Sequence, residues 1–138
     1  MVVDTPDVSA ESSHANIQTI DCNDPLYVHP SDTPGISLVP ELLIGTENYS
    51  EWSRSMTISL LVKNKLGFID RTCTRAQYEK DNFRLRQWER CSAIVQSWIR
   101  SLVVPELRRG IVYSSYAQNV WKSMKDKFDK VNAKKSIT

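Results

Sequence analysis

The chain has 138 residues, of which 41% are hydrophobic and 25% are charged, and its formal net charge is +2. A single domain of this length buries roughly 68% of the surface that its unfolded chain exposes. No apolar run approaches the roughly 18 residues of a membrane span, and the N-terminus carries acids without a base. We therefore expect neither a membrane protein nor a secretory signal.

The cysteine content is odd in number and contains no Cys-x-x-Cys pair. Cys22, Cys73 and Cys91 therefore favour reduced thiols over a disulfide framework, with Cys91 as a filler of the core. From this we expect a cytoplasmic location.

Charge is distributed very unevenly along the chain. Residues 1–53 contain nine acids and no Lys or Arg, whereas residues 54–138 hold all 18 bases and the remaining seven acids, a balance of +11. Three interpretations stay open: an acidic tail that shields a basic domain, a basic surface that meets nucleic acid, or a solvated surface of uneven charge.

The first 47 residues lack helical periodicity. Residues 1–23 are polar and acidic, so we predict a disordered tail. Residues 24–47 are punctuated by prolines, which fix φ and bias the preceding residue to extended conformations. They predict an extended arm, in which 36–39 and 42–44 could pair as a short hairpin.

The stretch from Leu42 to Asp70 contains the first predicted helix. Asn48 and Glu51 have the spacing of a capping box, and Gly67 is suited to end the helix in the left-handed conformation. Lys63 and Lys65 lie near the negative end of the helix dipole.

Two sets of apolar residues share this helix. One stripe, which we expect to be the central packing seam, consists of Tyr49, Trp52, Met56 and Leu60. Ile58, Leu61 and Val62 point elsewhere, so the second half of the helix is apolar nearly all round. That pattern predicts a helix buried on several sides, with Phe68 and Ile69 closing its exit.

A second, long amphipathic helix is predicted to start at Thr74, whose partner Gln77 completes another capping-box spacing. Pro105 ends it near 103 or 104. Its apolar residues lie within an arc of about 140°, with Arg86, Glu89, Arg90 and Arg100 outside; they are Leu85, Trp88, Cys91, Val95, Trp98, Ile99 and Leu102.

Residues 105–110 suit a short turn that begins with proline and stops at glycine. Ser115 and Gln118 predict a third capping box, followed by a last helix over 116–132, and residues 133–138 form a frayed basic tail. The apolar stripe of this helix is Ala117, Val120, Trp121, Met124, Phe128 and Val131. The whole pattern predicts an all-α fold, a small bundle of three to four main helices over 48–132.

Candidate chemistry is sparse. His14 and His29, even with Cys22, are too few for a zinc site. Neither histidine lies near a glycine-rich nucleophile turn, and the chain has only four glycines. We therefore expect no catalytic residue, no metal, no cofactor and no small-molecule substrate.

The last helix offers the best case for contact with nucleic acid. Its basic side chains are Lys122, Lys125, Lys127 and Lys130. Asp126 and Asp129 lie four residues from several of them and compensate much of this charge, which favours a solvated face. The tryptophans Trp52, Trp88, Trp98 and Trp121 all fall on apolar stripes, so they are interpreted as core residues before stacking platforms.

An ordered set of short motifs carries a family resemblance. The motifs are Asp-Pro-Leu-Tyr-Val-His-Pro-Ser-Asp at 24–32 with Pro34-Gly35, Leu38-Val39-Pro40, Gly45, Asn48-Tyr49, Trp52-Ser-Arg-Ser-Met56 and Lys63-Asn-Lys-Leu-Gly-Phe-Ile-Asp70, then Trp88, Val95-Gln-Ser-Trp-Ile99, Ala117, Val120-Trp121 and Phe128. In this order they resemble the N-terminal domain of Copia-type retrotransposon Gag polyproteins, which are abundant in plant genomes.

The resemblance runs from about Asp24 to Phe128 and implies a capsid-like module without enzymatic activity. Such a module associates with copies of itself, as a homo-oligomer that can surround RNA. The residues that mark the family and its core are Tyr49, Trp52, Met56, Leu60, Gly67, Phe68, Ile69, Trp88, Trp98, Trp121 and Phe128. The arm would be a strap on the helices or on a neighbouring subunit.

The chain departs from the family pattern at two points. Arg71 stands where the family tends to have glycine, so we expect a turn made without a left-handed residue. No zinc-knuckle spacing occurs. The alternatives that stay open are a basic nucleic-acid-binding module, an adaptor, and a relic protein without retained element function.

Overall fold

Helices provide the regular structure of the computed structural model, which describes residues 19–129. They are α1 (Tyr49–Val62), α2 (Gly67–Asp70), α3 (Asn82–Ser101), α4 (Pro105–Arg108) and α5 (Ala117–Phe128), with a 3₁₀ turn at Arg75–Tyr78. Over this range the chain forms no strand, only an isolated parallel bridge between Leu43 and Val103. The all-α prediction is confirmed. The predicted tails at 1–18 and 130–138 lie outside the described residues.

The start of α1 differs from the prediction. Asn48 makes no capping bond with its side chain. Its amide instead accepts from the Ile44 N–H at 3.0 Å and donates to the Leu42 carbonyl at 2.9 Å. The predicted capping box with Glu51 is therefore wrong, because the Asn48 amide is committed to the backbone of the arm.

The end of α1 also differs. The helix stops at Val62, and the left-handed residue after it is Asn64, with φ 58°. Gly67 instead begins α2, so its predicted role as a left-handed helix terminator is wrong. The turn after α2 contains a left-handed residue, Arg71, with φ 70°. The expectation that this turn forms without one is wrong as well.

Only one stripe of α1 is buried. Tyr49, Trp52, Met56 and Leu60 are between 0% and 4% exposed. Ile58, Leu61 and Val62, by contrast, are 57%, 62% and 79% exposed. The prediction that α1 is buried on several sides is therefore wrong, because no described element packs over its second apolar face.

The second predicted helix is two elements. Thr74 does pair with Gln77, whose Oε1 accepts from the Thr74 N–H at 3.3 Å, but the pair opens only the 3₁₀ turn. α3 begins eight residues later, where the Asp81 carboxylate accepts from the Arg84 N–H at 3.2 Å. A start at Thr74 is wrong because Asp81 has an extended backbone and provides a new N-cap.

Arginine side chains organise the chain after α3. The Arg108 Nε of α4 donates to the Val103 and Arg100 carbonyls at 3.0 and 3.1 Å, which satisfies carbonyls at the end of α3. Arg100 in turn donates to the carbonyls of Ile111 and Val112. These contacts fold the short α4 back against the end of α3.

The start of α5 uses a neighbouring serine. The predicted box of Ser115 with Gln118 is wrong, since α5 has no side-chain cap of that kind. The Ser114 hydroxyl instead accepts from the Tyr116 N–H at 3.2 Å. The helix reaches Phe128, and the remaining residues of the predicted span lie outside the described range.

Aromatic rings connect the helices through the core. Trp52 stacks on Trp121 with ring centroids 5.7 Å apart, and Tyr49 stacks on Phe128 at 6.3 Å. Both pairs join α1 to α5. A further pair, Phe68 with Trp88 at 5.7 Å, joins α2 to α3. Apolar burial and ring packing therefore hold the helices together.

The arm lies as a strap across its own helices. No hairpin forms within it, so that prediction is wrong. Leu43 instead joins the chain after α3, donating to the Leu102 carbonyl at 2.9 Å and accepting from the Val104 N–H at 3.0 Å. Leu43 thus pairs with a segment that is distant in the chain. Local sequence spacing does not reveal such a pairing.

Side chains of the helical part bind carbonyls along the arm. The contacts are Asn64 Nδ2 to Asn23 at 3.1 Å, Gln87 Nε2 to Leu26 at 2.9 Å, Cys91 Sγ to Leu26 at 3.3 Å, Lys65 Nζ to Tyr27 at 2.6 Å, Trp98 Nε1 to Thr33 at 2.7 Å and Ser59 Oγ to Leu38 at 2.6 Å. These bonds satisfy arm carbonyls that have no strand partner.

Candidate association surfaces

Exposed apolar side chains form a ridge on α1. Ile58, Leu61 and Val62 fall within an arc of about 100° at the helical repeat, facing away from the buried stripe. Val62 is 79% exposed, the most of the three. We call these three residues the α1 ridge. Full burial of side chains of this type stabilises by about 1.5 to 3 kcal/mol each, so the ridge is suited to a protein partner.

A second exposed surface lies where the arm enters α1, and it is acidic. Glu41, Glu47 and Glu51 are all exposed, as are Leu42 and Ile44 between them. Within residues 19–129 no basic side chain forms an ion pair with any of the three glutamates. We call these five residues the acidic entry of α1.

The third surface is a groove at the start of α3. It has a volume of about 500 Å³ and is lined by Asn82, Phe83, Arg86, Gln87 and Arg90. Phe83 is 37% exposed, and both arginines are exposed and form no ion pair within the described part of the chain. We call this surface the basic groove; it offers two guanidinium groups beside an aromatic ring.

The lysines of α5 are largely engaged with their own domain. Lys122 Nζ pairs with the Asp126 carboxylate at 3.0 Å, and Lys127 Nζ donates to the Gly110 carbonyl at 3.2 Å. Lys125 is exposed. Lys130 lies outside the described residues, so the structure brings only part of the predicted nucleic-acid face together.

The arm contains the only histidine in the described range, beside a serine. His29 Nδ1 lies 2.8 Å from Ser31 Oγ and accepts from the Ser31 N–H at 3.0 Å. The Asp32 carboxylate accepts from the His29 backbone N–H at 3.0 Å and pairs with Lys63 at 2.9 Å. The histidine ring and the carboxylate thus stabilise a turn and anchor it to the end of α1.

Two titratable groups buried in the core, Cys91 and Lys65, face the arm. Burial raises the pKa of the Cys91 thiol to about 11 and also raises the pKa of the Cys73 thiol. Burial lowers the pKa of the Lys65 ammonium, which is only 1% exposed. These groups serve packing and arm binding, since Cys91 and Lys65 both donate to arm carbonyls.

Among residues 19–129, no group of three or more His, Cys, Asp or Glu side chains is arranged to hold a metal ion. No helix in the same range has the length and apolar character that crossing a membrane requires.

The residues predicted to mark the family and its core differ in how deeply they are buried. Gly67 and Trp121 are partly exposed. The buried members are Tyr49, Trp52, Met56, Leu60, Phe68, Ile69, Trp88, Trp98 and Phe128. None of these residues is placed to meet a partner directly. They shape the domain whose outer surfaces carry the candidate contacts.

Sequence reasoning missed the basic groove. The spacing between Phe83, Arg86 and Arg90 is three and then four residues. All three lie opposite the apolar stripe of α3. That spacing is a visible signal of a shared face. From the sequence alone such a face is indistinguishable from an ordinary solvated helix surface, and the last helix carries the larger group of basic residues.

Comparison with known proteins addresses the family. A family model described as the Gag polypeptide of LTR copia-type elements matches residues 29–75, about a third of the chain. Comparison with curated proteins and with solved structures gave no match. The matched segment contains most of the arm, α1, α2 and the turn that follows. The resemblance to copia-type Gag polypeptides is therefore confirmed over residues 29–75.

Proposed function

We propose that this chain is a Gag-type structural domain that acts by associating with copies of itself, and that it is not an enzyme. The observation that carries the proposal is the α1 ridge, an exposed apolar face inside the segment that matches the Gag family. The proposal places the domain in the cytoplasm, where buried thiols such as Cys73 and Cys91 stay reduced.

The α1 ridge is suited to a symmetric contact between two copies. Ile58, Leu61 and Val62 carry no charge, so the same face on a second copy meets it without repulsion. Packing two such helices along their apolar faces removes both from water, and the contact follows ordinary helix–helix geometry. A pair of copies is then the basic unit of association.

Light scattering over a concentration series tests this proposal. At high salt, where contacts between charged groups are screened, we expect the molar mass to rise with concentration for the unchanged chain and to stay at the monomer for the triple variant Ile58→Ser, Leu61→Ser, Val62→Ser. The matched control is Val112→Ser, which alters an exposed apolar residue of a loop. A strict monomer at every concentration for the unchanged chain would contradict self-association.

Binding of RNA is a second candidate, favoured by the +11 balance after residue 53. Adding single-stranded RNA to the same samples tests it, because electrostatic binding weakens as salt rises, with a logarithmic slope of about −0.7 per neutralised phosphate. No detectable binding at low salt would remove this candidate. An adaptor role would require a pull-down to return proteins other than copies of the chain.

A further inference from the structure

We propose that the basic groove of α3 receives the acidic entry of α1 from a second copy, so that copies join head to tail. This inference rests on the proposed function of self-association. It adds a second contact to the one made by the α1 ridge, with a different symmetry and a different dependence on salt.

The groove has the chemistry of a carboxylate acceptor. Arg86 and Arg90 are four residues apart on one face of α3, and Phe83 lies on the same side. Guanidinium groups bind carboxylates through two parallel hydrogen bonds, and their flat faces pack well beside an aromatic ring. The neighbouring Gln87 is already bound to the Leu26 carbonyl, at 2.9 Å, which holds one wall in place.

The acidic entry offers the complementary set. Its three glutamates precede and follow, in the chain, two exposed apolar side chains, Leu42 at 38% and Ile44 at 53% exposed. The backbone between them is held rigid, because Asn48 binds the Leu42 carbonyl and the Ile44 N–H. Exposed apolar side chains together with carboxylates match a groove that is lined by an aromatic ring and two arginines.

The two surfaces cannot meet within one copy. Leu43 ties the acidic entry to the end of α3 through Leu102 and Val104. The groove lies near the start of the same helix, and the 16 residues from Arg86 to Leu102 span about 24 Å at 1.5 Å per residue. Because the groove lies near the start of α3 and the acidic entry is tied to its end, the acidic entry must find the groove of another copy.

Such a contact joins unlike surfaces and therefore continues from copy to copy. A symmetric contact through the α1 ridge alone stops at a pair, whereas a head-to-tail contact gives rings or open chains. Together the two contacts connect pairs into larger assemblies.

The observations favour a second copy over RNA as the occupant. The groove holds two arginines, whereas tracking a nucleic-acid backbone takes a longer run of positive charge. The complementary acids, moreover, lie on the same chain and have no basic partner within residues 19–129. RNA in the groove is therefore an outcome that the experiment distinguishes.

Sedimentation velocity with charge-reversed variants tests the contact. The groove variant is Arg86→Glu with Arg90→Glu, and the entry variant is Glu47→Lys with Glu51→Lys. We expect species larger than a pair for the unchanged chain at low salt, shrinking to pairs at high salt. Each variant alone should stop at pairs at low salt. Mixing the two variants should restore species larger than a pair, because the unchanged entry of the groove variant fits the unchanged groove of the entry variant. The reversed entry likewise fits the reversed groove.

The matched control for the groove variant is Lys80→Glu with Arg109→Glu, which makes the same change of net charge at exposed sites outside the groove. It should assemble like the unchanged chain. A chain carrying both sets of reversals should also regain large species, because its two surfaces are complementary again. Assembly of the two single-surface variants that equals that of the unchanged chain would overturn the inference.

Other outcomes separate this inference from the proposed function. If the unchanged chain forms pairs and nothing larger at low salt, the head-to-tail contact is refuted and self-association stands. If it is a monomer throughout, both fail. If the groove variant loses RNA binding while the combined reversal fails to restore assembly, the groove is a nucleic-acid site and the inference is overturned.

Discussion

The arm and the helices of this domain share one apolar core, to which the arm contributes Leu26, Val39 and Leu43, but they differ in their polar contacts. The helices contact one another through apolar stripes and stacked rings, such as Trp52 on Trp121. The arm has little regular structure, and side chains of the helices bind its carbonyls one at a time, as Lys65 binds Tyr27 and Trp98 binds Thr33.

This difference has energetic consequences. Apolar packing depends on volume and changes little with pH, whereas bonds from titratable groups depend on their protonation. A proline-rich segment gains a defined path over the surface because each carbonyl meets a specific donor. The comparison therefore predicts large, pH-independent losses for changes in the shared apolar core and smaller or pH-dependent ones for changes to the side chains that bind the arm.

The largest loss is expected for Trp52→Ala, on the helix side of the comparison. The side chain is 3% exposed, and its Nε1 donates to the Leu102 carbonyl at 3.0 Å. Removing it leaves a cavity that costs about 3 to 5 kcal/mol of unfolding free energy. Urea denaturation measures this, with the exposed Tyr113→Ala as control. Stability near that of the unchanged chain would show that α1 is peripheral.

The loss of stability at alkaline pH should depend on Cys91, which binds the arm. The unfolded Cys91 thiol ionises above its ordinary pKa of 9.0, while burial keeps the folded thiol protonated up to about 11. The folded state then binds more protons, so stability falls as pH rises from 9 to 11, by about 2 to 3 kcal/mol from this group. Cys91→Ser, which retains a donor for Leu26, should show a shallower fall in thermal denaturation. An equal slope in both chains would contradict the assignment.

Gly67 should be sensitive to substitution because of a close contact and not because of a left-handed turn. A Cβ at this position would lie 2.8 Å from Cys73 Cβ and 2.9 Å from Thr72 Oγ1. We expect Gly67→Ala to cost about 1 to 3 kcal/mol through overpacking. Gly35→Ala is the matched control, since nothing lies within 4 Å of its added Cβ. Equal melting temperatures for the two variants would refute the close contact.

The smallest effect is expected at the edge of the arm. Asn48→Ala leaves the Leu42 carbonyl and the Ile44 N–H to solvent, at a cost of about 0.5 to 1.5 kcal/mol. It should also speed hydrogen exchange of the Ile44 N–H, which donates a hydrogen bond to the Asn48 side chain at 3.0 Å. Ser50→Ala, two residues further along at the start of α1, serves as control. Unchanged exchange at Ile44 would show that this bond does not hold the entry.

Local patterns predicted the helices well because burial follows the helical repeat. The stripe of Trp52, Met56 and Leu60 is visible in the spacing alone, and the structure buries all three. Helix ends were less predictable. A capping residue needs a free side chain, and the amide of Asn48 was committed to backbone groups of the arm.

Surface assignments failed for a related reason. An apolar residue such as Leu61 has the same periodicity whether another element covers it or not, so spacing cannot reveal its 62% exposure. Likewise, a lysine such as Lys127 looks free until the fold brings the Gly110 carbonyl within 3.2 Å. Such partners lie far away in the chain and become neighbours only through folding.

The sequence by itself determined the helical class, the buried stripes and the resemblance to copia-type Gag, because these depend on residue order and local periodicity. Tertiary structure alone decided the path of the arm, the exposure of the α1 ridge and the separation of the acidic entry from the basic groove. Those features depend on contacts such as Leu43 with Val103 and Cys91 with Leu26, which join residues about 60 positions apart. No local pattern predicted these features because the residues that make the contacts are far apart in the chain.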